Sequence, residues 1–327
     1  MLEELFAKHP YVIVNTDADG FMCGCTVSRY YGAKIVGFSN SKDKIWISPE
    51  ITDITKPVYL DIYINHPDVI SIDQHVVAID AKANDLLRRN PNKINPNISA
   101  GKTLTTDYMH KYPLSTYLFI LAIMLHEGIN VELPNMMEYI VGYEHIKAGN
   151  ILLRADDALY SSLSKYKWNA DDWWKKEVEF SRNHPIMLML TNHVDLMSRC
   201  NKSPEKLKDE VNRFFLDVLH CDGGDGGFTD ILQPDEKTLR PEFVRTVKFF
   251  SSLFKCGDIE IPQTYNVYKG DFTRASITYN NMDFARNMIE SESMFSYAFI
   301  YGPNGGRDKG GNFSYTTNLR RQSRFIG

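Results

Sequence analysis

The feature that most limits the fold of this 327-residue chain is the alternation of short apolar runs with helix-forming segments in its first third. "YVIVN" (11–15), "AKIVGFS" (33–39), "PVYLDIYI" (57–64) and "VISID" (69–73) are too short for buried helices and rich in β-branched residues, so they read as strands. Helical material follows Gly20 and returns over "AIDAKANDLLRR" (78–89). Strands that alternate with helices predict a mainly parallel sheet, because each crossover helix returns the chain to the same edge.

The Pro/Asn/Gly-rich loop "NPNKINPNISAG" (90–101) ends this block. From Tyr112 to about Leu219 the pattern turns helical, through the buried-helix run "YLFILAIML" (117–125) and the segment "SPEKLKDEVNRFFLDVL", where Ser203 caps and Pro204 takes the first helical position. "CDGGDGGFTD" (221–230) reads as a linker. After it come a helix near 241–254, strands at "TYNVYKG" and "FTRASITY", a helix near 281–290 and a strand at "FSYAFIYG". The expected plan is α/β: a mainly parallel N-terminal domain with a helical extension (1–220), a linker (221–238) and a smaller α+β C-terminal domain (239–327).

Acids gather where the predicted strands end. Asp17 and Asp19 follow "YVIVN" in "DADG", Asp61 stands in "VYLDIYI", and Asp73 with His75 closes "VISIDQH". In open α/β sheets the carboxyl edge is where ligands bind. Carboxylates gathered there repel one another unless a cation or proton is shared. Hard oxygen ligands with one imidazole suit Mn²⁺ or Mg²⁺, one ion or two. The plain alternative for the first pair is a polar turn in which Asp caps a helix.

A net charge of −4 argues against general duplex-DNA binding, which needs a basic surface, but leaves room for a short strand in one basic groove. No apolar run is long enough to span a membrane. The five cysteines and an N-terminus without a signal-peptide pattern lead to an expectation of cytoplasmic residence. Cys23 and Cys25 have no second pair at zinc spacing and read as buried small residues. Arg307, Lys309, Arg320, Arg321 and Arg324 make the end of the chain locally basic, as an anion-facing segment or a solvated tail.

The ordered blocks "DADG", "LDI" and "IDQH" resemble the DHH phosphoesterase family, whose motifs are D-x-D-G, a strand aspartate and D-H-H. "NTDADG" lacks the upstream His of some branches and looks like the RecJ-type first motif. The resemblance implies that Asp17, Asp19, Asp61 and His75 hold metal, with Asp61 bridging, and that Asp73 and His75 serve catalysis. Gln74 departs from the pattern by standing where the first His of D-H-H belongs. For the family's further metal-binding Asp, Asp156 and Asp157 are the candidates, with Glu144 and His145 as rivals.

"GPNGGRDKGGNFS" (302–314) resembles the family's glycine-rich substrate loop, with Gly306, Arg307, Lys309, Gly310 and Gly311 as the substrate-binding residues. Glycines admit close backbone approach, and Arg can bind phosphate bidentately. The resemblance implies a Mn²⁺- or Mg²⁺-dependent phosphodiesterase that uses a metal-activated water on short oligonucleotides or small nucleotide diesters. A single-strand-specific exonuclease, a degenerate non-catalytic nucleotide binder, and a monoester or pyrophosphate hydrolase are the alternatives. No membrane and no stable duplex DNA is expected as partner, and a homodimer is left open.

Overall fold

The computed structural model describes residues 1–106, 108, 111–112, 115–132, 212–235, 237–257, 259, 261–262, 264–300 and 311–322. By packing, the chain forms two compact units, each assembled from separated stretches. One comprises Met1–Pro10, Thr16–Lys34 and Pro113–Ile261, the other Tyr11–Asn15, Ile35–Tyr112 and Pro262–Gly327.

The described part of the first unit is helical: α1 (Leu2–Lys8), α2 (Ala18–Tyr31), α5 (Thr116–His126) and α6 (Pro241–Phe254), with a π-helical turn over Phe214–Val218. Helix α2 starts at an Asp17 cap and stops at Gly32, whose φ of 68° is the left-handed conformation that ends helices. Its residues Ala18 to Val27 are all buried, and it packs against α5 and α6. Phe21 stacks on Phe250 of α6 with ring centroids 5.2 Å apart. Pro241 occupies the first turn of α6, where its missing N–H goes unused.

The "CDGGDGGFTD" segment is not an extended linker. Ala18 N–H donates to the Asp225 carbonyl (2.9 Å), Phe228 N–H to the Thr16 carbonyl (3.0 Å), and Thr16 Oγ1 to the Phe228 carbonyl (3.0 Å). Its glycines let this backbone lie directly against the "TDA" turn: Gly226 has a φ of 81°, and a Cβ there would meet Phe215 at 3.1 Å.

The second unit is built on a nine-stranded sheet in the order β6-β5-β4-β1-β2-β3-β7-β9-β8. The strands are β1 (Tyr11–Asn15), β2 (Lys34–Ser39), β3 (Lys44–Ile47), β4 (Val58–Leu60), β5 (Ser71–Ile72), β6 (Lys93–Ile94), β7 (Asn266–Ile277), β8 (Met294–Ile300) and β9 (Gly311–Arg321). Strands β1, β4, β5 and β6 pair in parallel, through Val14–Leu60, Leu60–Ile72 and Ile72–Ile94. From β2 to β3, then β7, β9 and β8, the pairing is antiparallel. The fold is therefore mixed α/β, with parallel strands in one half of the sheet.

Two of the predicted C-terminal strands are one: "TYNVYKG" and "FTRASITY" fall together in β7, bent at Gly270, where a Cβ would lie 2.6 Å from Thr316 Cγ2. Strand β9 is a correction to the basic-tail reading: Arg320 and Arg321 pair with β7 at Lys269 and Tyr268. "KIWI" (β3) also went unread, because four residues between polar turns give little periodicity.

Apolar clusters fill both regions of this unit. Ile13, Ile45, Ile47, Tyr59, Ile62, Ile64 and Val69 make one, and Tyr63, Val76, Ile79, Ile98, Tyr297, Phe299 and Phe313 belong to the other. Helices α3 (Ala81–Arg88), α4 (Pro96–Ser99) and α7 (Met282–Ile289) complete the unit, α3 starting on Asp80, which accepts the Ala83 N–H. No helix among the described residues is long and apolar enough to cross a membrane.

Candidate functional site

In the parallel half of the sheet, four polar residues stand at the ends of four neighbouring strands. Asn15 closes β1, Asp61 follows β4, Asp73 follows β5 and Asn95 follows β6. Because Val14, Leu60, Ile72 and Ile94 lie in register, the four polar residues form a row along the carboxyl edge. All four are buried, Asp61 and Asp73 at 4% and 1% exposure.

Buried carboxylates require partners, and this row supplies them. Asn15 Nδ2 donates to Asp61 Oδ2 at 3.0 Å. Asp73 Oδ2 accepts the His75 N–H at 2.9 Å and Asn95 Nδ2 at 3.3 Å. Asp73 Oδ1 lies 2.7 Å from His75 Nδ1. That bond engages Nδ1, so Nε2 is the ring nitrogen directed away from Asp73. Asp61 takes a φ of 63°, the left-handed region that Asp tolerates better than most side chains.

Asp61, Asp73 and His75 each place one ligand atom within 4.8 Å of the other two, a group that could hold a metal ion. Burial would lower the His75 pKa, but the Asp73 charge, its hydrogen bond and the Asp61 charge together raise it above the ordinary value. A site that favours an extra positive charge on its imidazole favours a cation as well. His75 keeps 32% of its side chain exposed, so the group opens to solvent.

The segment Asp73–His75 is held from one side by Asn95 and Asn97. Asn95 Nδ2 also donates to the His75 carbonyl (2.9 Å), while its Oδ1 caps α4 by accepting from Asn97 N (2.8 Å) and Ile98 N (3.2 Å). Asn97 Nδ2 donates to the Gln74 carbonyl (2.6 Å), and its Oδ1 accepts from Tyr112 N (2.6 Å). The stretch read as a block-ending loop thus forms β6, α4 and a clamp on "DQH". Asn15 and Asn95 were not among the candidates. Their signal was present: each directly follows the last apolar residue of its strand, as Asp61 and Asp73 do.

Asp17 and Asp19 belong to the helical unit. Asp17 caps α2, accepting the Gly20 N–H at 3.0 Å. Asp19, 8% exposed, accepts Thr116 N (2.9 Å), Tyr117 N (2.8 Å) and the Cys23 thiol (3.7 Å). It therefore places a negative charge at the start of α5, where unpaired N–H groups and the helix dipole favour one.

His66 forms a local turn bond, its Nδ1 accepting the Asp68 N–H. Gly311 is the first residue of β9 and is paired with Ile277. Asp156, Asp157, Glu144, His145, Gly306, Arg307, Lys309 and Gly310 lie outside the described residues, as do Ser203, Trp173, Trp174 and Arg324. Compared with protein-family models, curated proteins and solved structures, the chain finds no match.

Proposed function

We propose that the chain is a metal-dependent phosphodiesterase acting on short oligonucleotides or small nucleotide diesters. The observation that carries this reading is the convergence of Asp61, Asp73 and His75 at the carboxyl edge of parallel strands. The donor set fits a hard divalent cation such as Mn²⁺ or Mg²⁺, since it offers two buried carboxylates and one imidazole and no thiolate. Bound there, such an ion supplies Lewis-acid stabilisation of phosphoryl oxygens and makes a coordinated water more acidic.

The chain's own residues divide the remaining work. Asp61 and Asp73 fix charge at the strand ends, and Asn15 and Asn95 orient those carboxylates by donating to one oxygen of each. His75, with Nδ1 engaged by Asp73, presents Nε2 to a phosphate or to a leaving oxygen. On sequence resemblance alone, Asp17 and Asp19 join the ligand set, and Asp156 or Asp157 supplies a further acid. Arg307, Lys309 and the loop glycines are assigned to the substrate on the same ground. Net charge −4 favours short substrates over long duplexes.

Gln74 motivates a second reading, in which the chain binds a nucleotide and does not cleave it. Gln74 offers a neutral amide where the motif pattern places an imidazole, so that position has neither the ligand nor the proton-transfer group of the pattern.

The test is turnover of a labelled short oligonucleotide with Mn²⁺ by the intact chain, Asp61→Asn and Gln74→His. Asp61→Asn removes one charge at nearly constant shape, and Asn also tolerates the left-handed backbone. Mononucleotide release that Asp61→Asn abolishes, with folding retained, supports the phosphodiesterase. An inert intact chain with an active Gln74→His supports the binder. If all three are inert on every diester, the substrate class is wrong.

A further inference from the structure

The antiparallel half of the sheet carries positive charge in register. Lys44 of β3 is paired with Lys269 of β7, and Lys269 with Arg320 of β9. Residues directly opposite in antiparallel strands share a face, so three cations stand side by side across three neighbouring strands. The adjacent residues Ile45 and Tyr268 turn to the other face and join the apolar cluster of Ile13 and Tyr59. Lys269 and Arg320 are exposed, and Lys44 is partly exposed. The turn that carries exposed Lys42 is fastened to the same strands: Thr316 Oγ1 donates to the Lys42 carbonyl, and Gly270 N–H to the Asp43 carbonyl (2.8 Å).

Like charges directly opposite on a sheet repel and lower stability. Among the described residues, neither Lys269 nor Arg320 has a carboxylate within ion-pair distance. The acids next to them in the chain, Asp43 and Asp271, accept from Asn40 Nδ2 and Asn318 Nδ2, both at 3.0 Å. Arg321 donates to Asn266 Oδ1 (2.7 Å) and lies on the other face, opposite Tyr268.

The cations stand at the same edge of the sheet as the acidic row. β2 runs beside β1 in the same direction: at their starts Lys34 N–H donates to the Pro10 carbonyl (2.7 Å), and further on a Cβ at Gly37 would lie 3.2 Å from Ile13 Cγ1. Ser39 is therefore level with Asn15. Ser39 pairs with Ile45, and Asn40 N–H donates to the Lys44 carbonyl (3.2 Å), so Lys44 lies one residue beyond that level. Counting strands from β4, the cations begin about 14 Å from Asp61, at β3, and end about 24 Å away, at β9.

We propose that Lys44, Lys269 and Arg320 hold the phosphate backbone of a single-stranded oligonucleotide whose end lies at Asp61, Asp73 and His75. The proposal rests on the phosphodiesterase reading and gives that site a strand longer than a dinucleotide as its substrate. A single small anion needs one cation, whereas a line of them at strand spacing fits a chain of regularly spaced charges. Arg320 offers a planar fork to phosphate oxygens, and the two lysines offer point charges. The repulsion between facing cations is relieved when the strand binds. Such a track is local, which accords with a net charge of −4 for the whole chain.

The experiment measures binding of a labelled single strand of about eight nucleotides, within the site sizes of single-strand binders. The full chain is used in EDTA over a salt series, so that cleavage plays no part. One variant combines Lys269→Gln with Arg320→Gln; a control removes the same charge from exposed positions elsewhere, Lys82→Gln with Lys248→Gln. Loss of two phosphate contacts should weaken binding about 25-fold at about 0.1 M salt and make the slope of log K against log salt shallower by about 1.4. The control pair should bind as the intact chain does. Removing the facing charges should leave the melting temperature no lower than that of the intact chain, which separates lost binding from lost folding. In Mn²⁺, the kcat/KM preference for this strand over a dinucleotide should fall by a similar factor in the row variant. No strand binding by the intact chain, equal losses in both pairs, or equally tight binding of poly-glutamate overturns the proposal. Turnover with unchanged strand binding in the row variant overturns it and leaves the phosphodiesterase standing. Row-dependent binding with no turnover of any diester upholds the row as a strand-binding surface and overturns the phosphodiesterase.

Discussion

Asn95 is the residue whose replacement tests most directly how the acidic row is held. Its side chain, 2% exposed, makes four hydrogen bonds: two accepted from the first turn of α4, one donated to Asp73 Oδ2 and one to the His75 carbonyl. Asn95→Ala removes all four. Loss of the helix cap costs about 1 kcal/mol, and leaving the part-buried His75 carbonyl without that donor costs about 1–3 kcal/mol. The 3.3 Å bond to Asp73 is long and adds less. A destabilisation of about 3 kcal/mol follows, which lowers the melting temperature by roughly 6–12 °C for a unit of this size.

Asn95→Asp separates the cap from the clamp. Asp caps a helix as well as Asn, so α4 keeps its acceptor, while Asp73 faces a third carboxylate in place of a donor. In EDTA this variant should lose about 2–3 kcal/mol. If a divalent ion occupies the row, added Mn²⁺ should restore part of that loss in Asn95→Asp and none in Asn95→Ala. The assay is thermal and urea denaturation of the intact chain and both variants, with and without Mn²⁺. Asn95→Asp as stable as the intact chain in EDTA would refute the clamp. Equal Mn²⁺ responses in the two variants would refute the coupling between clamp and ion.

Further outcomes follow from other residues. Lys93 is enclosed, and its ammonium donates to the carbonyls of Ile64, His66 and Val69 at 2.6–2.8 Å. Burial lowers it from 10.5 to about 7. Between those values the unfolded chain holds a proton that the folded one releases, so stability should rise with pH from 7 to 10.5, by at most about 5 kcal/mol. Urea midpoints that rise equally in Lys93→Met would sink this assignment. Gly37→Ala puts a Cβ 2.7 Å from the Trp46 carbonyl oxygen and 3.2 Å from Ile13 Cγ1; the urea midpoint should fall by the equivalent of about 1–3 kcal/mol at unchanged slope. Asp19→Asn weakens the acceptors of two α5 amides, so melting should show a loss of about 1–3 kcal/mol without any metal. A loss seen only with Mn²⁺ present would contradict that role.

How much of this was readable in advance depends on the range of the interactions involved. Periodicity and β-branched runs placed β1, β2, α3, α6 and α7 close to their observed spans, because those signals are local, whereas the runs 57–64 and 69–73 contain much shorter strands, Val58–Leu60 and Ser71–Ile72. Asp73 and His75 were legible as strand-end residues for the same reason, whereas Asp61 stood inside the run 57–64 and becomes a strand-end residue only because β4 stops at Leu60. Their convergence was not, since it depends on strand order: β4 lies between β1 and β5, an adjacency that no local pattern encodes. Asn15 and Asn95 escaped notice because an amide closing a strand looks like ordinary turn chemistry until its carboxylate partner is known. The glycines of 222–227 carried a linker's composition, yet lacking a Cβ is also what lets them lie against Thr16 and Ala18.

The amino-acid sequence by itself determined which segments become strands and helices, and that acids and one imidazole stand at the strand ends. Only the tertiary structure decided that Asp61, Asp73 and His75 share one place, that Asp19 sits at the start of α5, and that β7, β8 and β9 continue the sheet begun by β1. Secondary structure follows from backbone preferences and burial patterns within a few residues. Sheet order, register and the partner of each buried carboxylate are set by contacts between residues far apart in the chain, and those exist only once it has folded.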